Sequence, residues 1–179
     1  TCHFQAAMGA GGQKAYLVPV ILDSIEAMTE HLQAGATVVD IGCGAGVAAT
    51  TVAQAFPNTN VIGMDPSSHA IAAASARAAE AGLDNLSFRQ GTFDDLGEFA
   101  DVDLLLTLDV IHDLPRPGAA VRSARGCLAD DGVWMVADIR ARGGLEDNRA
   151  IPVLPLMYGM SILYCMSSAM SEPGGAGLG

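Results

Sequence analysis

The chain has 179 residues, half of them hydrophobic and only 16% charged, which excludes a disordered chain and allows one sizeable core in a single domain. Twenty acidic residues against nine Lys and Arg leave a formal charge of -11, which disfavours a phosphate-backbone partner, so a small-molecule or protein substrate is expected. Cys2, Cys43, Cys127 and Cys165 lie far apart with no C-x-x-C pair, which suggests neither a disulfide framework nor a metal site and fits a reducing cytoplasm.

No basic segment followed by an apolar one opens the sequence, so no secretory leader is read there. Thr1 at one end and Gly-Ala-Gly-Leu-Gly at the other read as the limits of a fragment of a longer chain. Residues 1–15 carry no clear period and are taken as a loop or the tail of a preceding element. From Tyr16, Leu17, Ile21, Ile25, Met28 and Leu32 recur at three- and four-residue spacing, which predicts one amphipathic helix with Pro19 in its first turn.

Residues 37–46, Thr-Val-Val-Asp-Ile-Gly-Cys-Gly-Ala-Gly, organise the rest. Val38, Val39 and Ile41 suit a strand buried on both faces, Gly42 and Gly44 leave bare backbone for close ligand approach, and residues 45–56 carry a helical pattern. A dinucleotide fingerprint needs G-x-G-x-x-G/A, but the third glycine comes one residue early and Asp40 would meet a pyrophosphate badly. Asp40 suits a cationic ligand instead. The run Asp40-Ile-Gly42-Cys-Gly44-Ala-Gly46 resembles the first-strand motif of the class I S-adenosylmethionine-dependent methyltransferases.

Residues 60–65 form the second predicted strand, ending at Asp65 about 20 residues after the glycines, where an acid accepts both hydroxyls of a ribose. Pro66 follows, and Ser67 or Ser68 opens a helix through Ile71, Ala74, Ala78 and Ala81 that stops at Gly82. Residues 86–93 are the third strand. Its end, Gly91-Thr-Phe-Asp-Asp-Leu96, stands where the family reads adenine. There the family's acid is replaced by Thr92, so the resemblance leaves the Thr92 hydroxyl or Asp94, with the Phe93 N–H, as the adenine contacts.

Residues 102–111 are a fourth, continuous apolar strand running into Asp109-Val-Ile-His112-Asp113-Leu-Pro115. This segment resembles the acceptor-facing loop of small-molecule methyltransferases, and the His-Asp pair resembles the base dipeptide of phenolic O-methyltransferases. His112 is then the candidate base for a hydroxyl acceptor, with a structural role for the ring as the other reading. Asp109, with Asp40, Gly42 and Gly44, would hold the amino-acid tail of the donor.

Residues 117–128 are a helix with Val121, Ala124 and Leu128 inward, Asp130-Asp131-Gly132 a turn, and residues 132–140 the fifth strand. Strands alternating with helices predict a Rossmann-like, doubly wound parallel sheet. The two antiparallel edge strands that the family adds are not read in residues 141–179. The uncharged stretch 151–170 is broken by Pro152, Pro155 and Gly159 and lacks a basic flank, so it is not read as a membrane span. It resembles the Met- and Tyr-rich insertion of bacterial methyltransferases that carry a winged-helix domain, which implies an acceptor-side cover, with a core or subunit-interface helix as the other reading.

The resemblance therefore implies methyl transfer from S-adenosylmethionine to a small-molecule acceptor in the cytoplasm, with homodimerisation possible and no nucleic-acid or membrane partner. A non-catalytic S-adenosylmethionine-binding module is the other function class, and a nicotinamide-dependent oxidoreductase a third.

Overall fold

The computed structural model describes residues 11, 12, 14–140 and 144–178. Residues 1–10 of the expected lead-in, and Cys2 with them, lie outside the described residues. The chain divides into two compact units, Thr1–Thr107 with Ser123–Met135 and Leu108–Arg122 with Val136–Gly179.

The strands β1 (Thr37–Ile41), β2 (Asn60–Asp65), β3 (Leu86–Gln90), β4 (Val102–Leu108) and β5 (Leu128–Ala137) form one sheet in the order β3-β2-β1-β4-β5. The β1–β2, β1–β4 and β2–β3 pairings are all parallel. Such a sheet needs strands that are apolar on both faces. Val38, Val39, Val61, Leu104, Leu105 and Leu106 are fully buried, as the unbroken β-branched and leucine runs require. The crossover helices in the first unit are α2 (Val47–Ala55) and α3 (Ser68–Ala81), and α1 (Met28–Ala34) precedes β1.

Register places the functional loops. Ile41 stands beside Met64, so the turn after β1 emerges next to Asp65 at the end of β2. The Gly42 and Cys43 amides both donate to the Met64 carbonyl, at 2.8 and 3.0 Å, and fasten that turn to the neighbouring strand. Behind it, Asn85 Nδ2 donates to the carbonyls of Ala53, Phe56 and Thr59 and satisfies the C-terminal end of α2, where no helical partner exists.

Several expected elements differ in detail. The first helix is not continuous: a π-helical turn (Leu17–Ile21) and a 3-10 turn (Leu22–Ser24) precede α1, and Ala27 takes φ 57 between them. Pro19 removes an N–H from the first of these turns, and the apolar register slips so that Leu22 is buried while Ile21 is exposed. Strand β3 ends at Gln90 rather than residue 93, because Thr92 caps a 3-10 turn over Phe93–Glu98. Strand β4 ends at Leu108, where Asp109 takes φ 56.

Helix α4 (Pro117–Cys127) turns Ala120, Ala124 and Cys127 inward and leaves Val121 exposed. Strand β5 begins at Leu128 and runs through the expected Asp130-Asp131-Gly132 turn. Gly132 makes this possible, since a Cβ there would lie 2.5 Å from the Val102 carbonyl. In the second unit the uncharged stretch forms α6 (Leu154–Met160), a π-helical turn (Ser161–Cys165) and α7 (Met166–Ala169), preceded by α5 (Leu145–Asn148). Among the described residues no helix is long and apolar enough to cross a membrane.

Candidate active site

In the first unit, the turn after β1 is held open by backbone geometry. Gly42, Gly44 and Gly46 all take positive φ (78°, 53° and 73°), a region that costs a glycine nothing. A Cβ at Gly44 would meet no atom within 4 Å, so this backbone faces open space. A Cβ at Gly46 would lie 2.5 Å from the Phe88 ring and 2.8 Å from Ala74, so the third glycine serves close helix–sheet packing.

Asp65 closes one side of this turn. Its Oδ2 accepts from the Gly44 amide at 2.9 Å and its Oδ1 from the Ser67 amide at 2.9 Å. Two backbone donors thus fix the carboxylate plane, and each oxygen retains a lone pair for a further donor such as a hydroxyl. The Ser67 hydroxyl caps α3 through the Ala70 amide, and the Pro66 carbonyl accepts from Gln90 Nε2 at 2.8 Å. The Asp–Pro–Ser run therefore serves the helix cap and the strand-end acid together.

Asp40 is placed differently from Asp65. Its carboxyl is only 2% exposed and accepts from the Ala49 amide in the first turn of α2, at 3.2 Å. Burial pushes its pKa up to about 7; the Ala49 hydrogen bond works against this and the Asp65 charge adds to it. Burial, with the Asp40 and Asp65 charges, likewise pushes the Cys43 thiol far above the ordinary range, so it stays an uncharged packing group. At the end of β3, the Thr92 amide and hydroxyl both donate to Asp95 Oδ2, at 2.7 and 3.2 Å, and the hydroxyl accepts from the Asp94 amide. Thr92 is thus engaged in a capping box, and Phe93 is buried.

The second unit carries the other cluster. The backbone turns at Asp109, whose amide donates to the Ala137 carbonyl at 2.8 Å, and Ile111–Asp113 forms a 3-10 turn that presents His112. His112 Nδ1 lies 2.6 Å from Asp138 Oδ1, and the His112 amide donates to Asp138 Oδ2 at 3.3 Å. A carboxylate can only accept, so Nδ1 donates to Asp138, which orientates the ring. The other ring nitrogen, Nε2, is turned towards the adjacent Asp113.

Nε2 faces Asp113 Oδ1, a buried oxygen, at 3.3 Å. Cys165 completes the group, its thiol pushed up to about 11 by burial and then by the Asp113 carboxylate. Asp109 is also pushed up, by burial first and then by the Asp138 charge, with His112 working the other way. The C-terminal segment is tied to the same turn, since Ala176 donates to the Pro115 carbonyl and Arg116 pairs with Glu172 at 2.9 Å.

The structure thus brings Asp40, Gly42, Gly44 and Asp65 together in one unit and Asp109 and His112 together in the other. Sequence reasoning missed Asp138 and Cys165. Asp138 stands just after β5, as Asp65 and Asp109 stand at the ends of β2 and β4, and that signal could have marked it. Nothing in the spacing of Cys165 pointed to His112.

A family model described as a methyltransferase domain matches residues 32–157. The ubiquinone biosynthesis O-methyltransferase of Caulobacter vibrioides is 34% identical over 127 residues, covering 68% of this chain and 45% of that protein. Trans-aconitate 2-methyltransferase of Deinococcus radiodurans is 41% identical over 81 residues, covering 45% of this chain and 29% of that protein. Among solved structures, the YcgJ protein of Bacillus subtilis matches with TM-score 0.56 and 29% identity over 78% of this chain and 57% of its own. A putative O-methyltransferase of Nostoc punctiforme reaches TM-score 0.72 at 21% identity, over 98% of this chain and 48% of its own, a likeness of fold. The chain spans about half the length of the relatives it matches.

Proposed function

We propose that this chain, which belongs to the class I S-adenosylmethionine-dependent methyltransferases, carries a methyl group from that donor to a hydroxyl oxygen of a small molecule, with His112 as the base. The observation that carries the oxygen acceptor is the His112 ring itself, its Nδ1 held 2.6 Å from Asp138 so that Nε2 is the nitrogen left to serve an acceptor. Relatives named as O-methyltransferases lend the same reading support.

The first unit fits the donor. Bare backbone at Gly44 and a carboxylate already aligned by two amides match a ligand with an amino-acid tail and a ribose. Asp65 would take the ribose hydroxyls, with Pro66 shaping the rim and the backbone around Thr92 and Phe93 lining the adenine. Gly42 and Gly44 would take the tail, and Asp40 would act by holding α2 against the glycine turn. When bound, the donor supplies a methyl group made electrophilic by its positive sulfur. His112 Nε2 removes the acceptor's hydroxyl proton as the oxygen attacks, and Asp138 keeps the ring in one tautomer and steadies the imidazolium that forms.

Turnover with a panel of small hydroxylated, aminated and carbon-nucleophile acceptors tests this reading. Methylation of hydroxyls that His112→Ala abolishes, with S-adenosylhomocysteine affinity kept, supports it. Equal turnover of amines by that variant would overturn it.

A further inference from the structure

Around Nε2 of His112 three ligand-type atoms converge. With Nδ1 turned to Asp138, Nε2 faces a carboxylate oxygen, Asp113 Oδ1, 3.3 Å away. That oxygen is buried, and the third atom, the Cys165 sulfur, interacts with the same carboxylate. The three donor atoms lie within 4.8 Å of one another. In a half-buried place such a group is held together by the protons it carries, and a cation that displaces them takes their place among the same atoms.

We propose that His112 Nε2, Asp113 Oδ1 and Cys165 Sγ form a binding site for a thiophilic divalent cation of the zinc class, and that occupancy switches off the base. A nitrogen, an oxygen and a sulfur are three of the four ligands of a zinc site, the fourth being a water in sites of this kind. Ligand atoms around such an ion stand about 3.5 Å apart, and the His112–Asp113 pair is already at 3.3 Å. The Asp138–His112 hydrogen bond supplies the outer carboxylate that orientates a metal-bound imidazole and raises its basicity. The donor set argues against magnesium or calcium, which take oxygen ligands.

On coordination the Cys165 thiol loses its proton to solvent and its sulfur forms the bond to the ion, while Nε2 donates the same lone pair that would otherwise take the acceptor's proton. Metal binding and base catalysis are therefore mutually exclusive at one nitrogen. The binding site stands on the geometry alone; its inhibitory effect rests on the reading of His112 as the base.

The test titrates the whole chain with cobalt(II), under reducing and anaerobic conditions, without donor or acceptor. The expected result is one bound equivalent with a thiolate-to-cobalt charge-transfer band. Cys165→Ser should lose that band, and Asp113→Asn and Asp138→Asn should each weaken binding about 10- to 100-fold. Cobalt bound without a thiolate band, or with unchanged affinity in Cys165→Ser, would overturn the site. Melting temperatures of metal-free variants confirm that they fold. In a separate arm, zinc should reduce wild-type turnover at least tenfold relative to the chelator-treated enzyme, and the ratio with and without zinc should approach one in Cys165→Ser. Full turnover with the metal bound would overturn the inhibitory half and the base reading of His112 together, while the spectroscopic result stands by itself.

Discussion

The acid pair of the glycine turn and the His112 cluster solve the same problem in opposite ways. Each brings carboxylates close together near a ligand site. In the first unit the backbone satisfies them: Asp65 takes two amides and Asp40 one, all from residues within a short reach along the chain or across one strand pair. In the second unit side chains meet side chains: Asp138 holds His112, and Asp113 and Cys165 lie at Nε2. A site built on amides is prearranged by the fold and suits holding a ligand. One built from titratable side chains around a single ring suits moving a proton or accepting a cation, because its free energy changes most when charge arrives.

The largest effect expected from breaking this contrast is at His112. His112→Ala should lower turnover about 100- to 10,000-fold while S-adenosylhomocysteine affinity stays within about twofold. Asp138→Asn should cost less, about 10- to 100-fold, and the double variant should be no worse than His112→Ala, because the two act as one unit. Additive losses in steady-state kinetics would show that Asp138 serves something other than the ring.

Next in size is the packing that supports the amide-built site. Gly46→Ala adds a Cβ at φ 73 against Phe88 and should destabilise the fold by about 2–4 kcal/mol, from overpacking together with left-handed strain. Adding Phe88→Leu should recover part of this in urea melts. No recovery would place the cost in the backbone alone.

Asp65→Ala should weaken S-adenosylhomocysteine by about 1.5–3 kcal/mol in calorimetry through the loss of charge-assisted hydrogen bonds. Unchanged affinity would remove Asp65 from the donor site and leave it as a loop fastener.

A pH dependence sharpens the difference between the two acids. Asp40 holds its proton more tightly in the folded chain, with its pKa pushed up to about 7, than an ordinary aspartate near 3.8. Its contribution is therefore fully favourable below pH 4 and is lost as pH rises, with the penalty complete above pH 7. Asp40→Asn can still accept from the Ala49 amide and should flatten this slope by on the order of 4 kcal/mol between pH 4 and pH 8. Equal slopes in denaturant titrations of the two proteins would show that the carboxyl ionises freely in the folded state.

The elements that the sequence determined by itself are those whose cause lies within a few residues. Strands β1, β2 and β4 were legible because a parallel sheet demands continuous apolar runs, α3 because Ser67 and Gly82 mark its ends, and the donor-side turn because only glycine takes those φ values without strain. The unbroken first helix was misread because Pro19 and the left-handed Ala27 reset a periodicity that looked continuous. The burial of Asp40, the capping of Thr92 by Asp95 and the convergence of Asp138, Asp113 and Cys165 on His112 were decided by tertiary structure. Periodicity reports which face of an element is apolar, whereas the partner of a polar side chain depends on strand register and on how a distant segment folds back, and neither leaves a local trace in the chain.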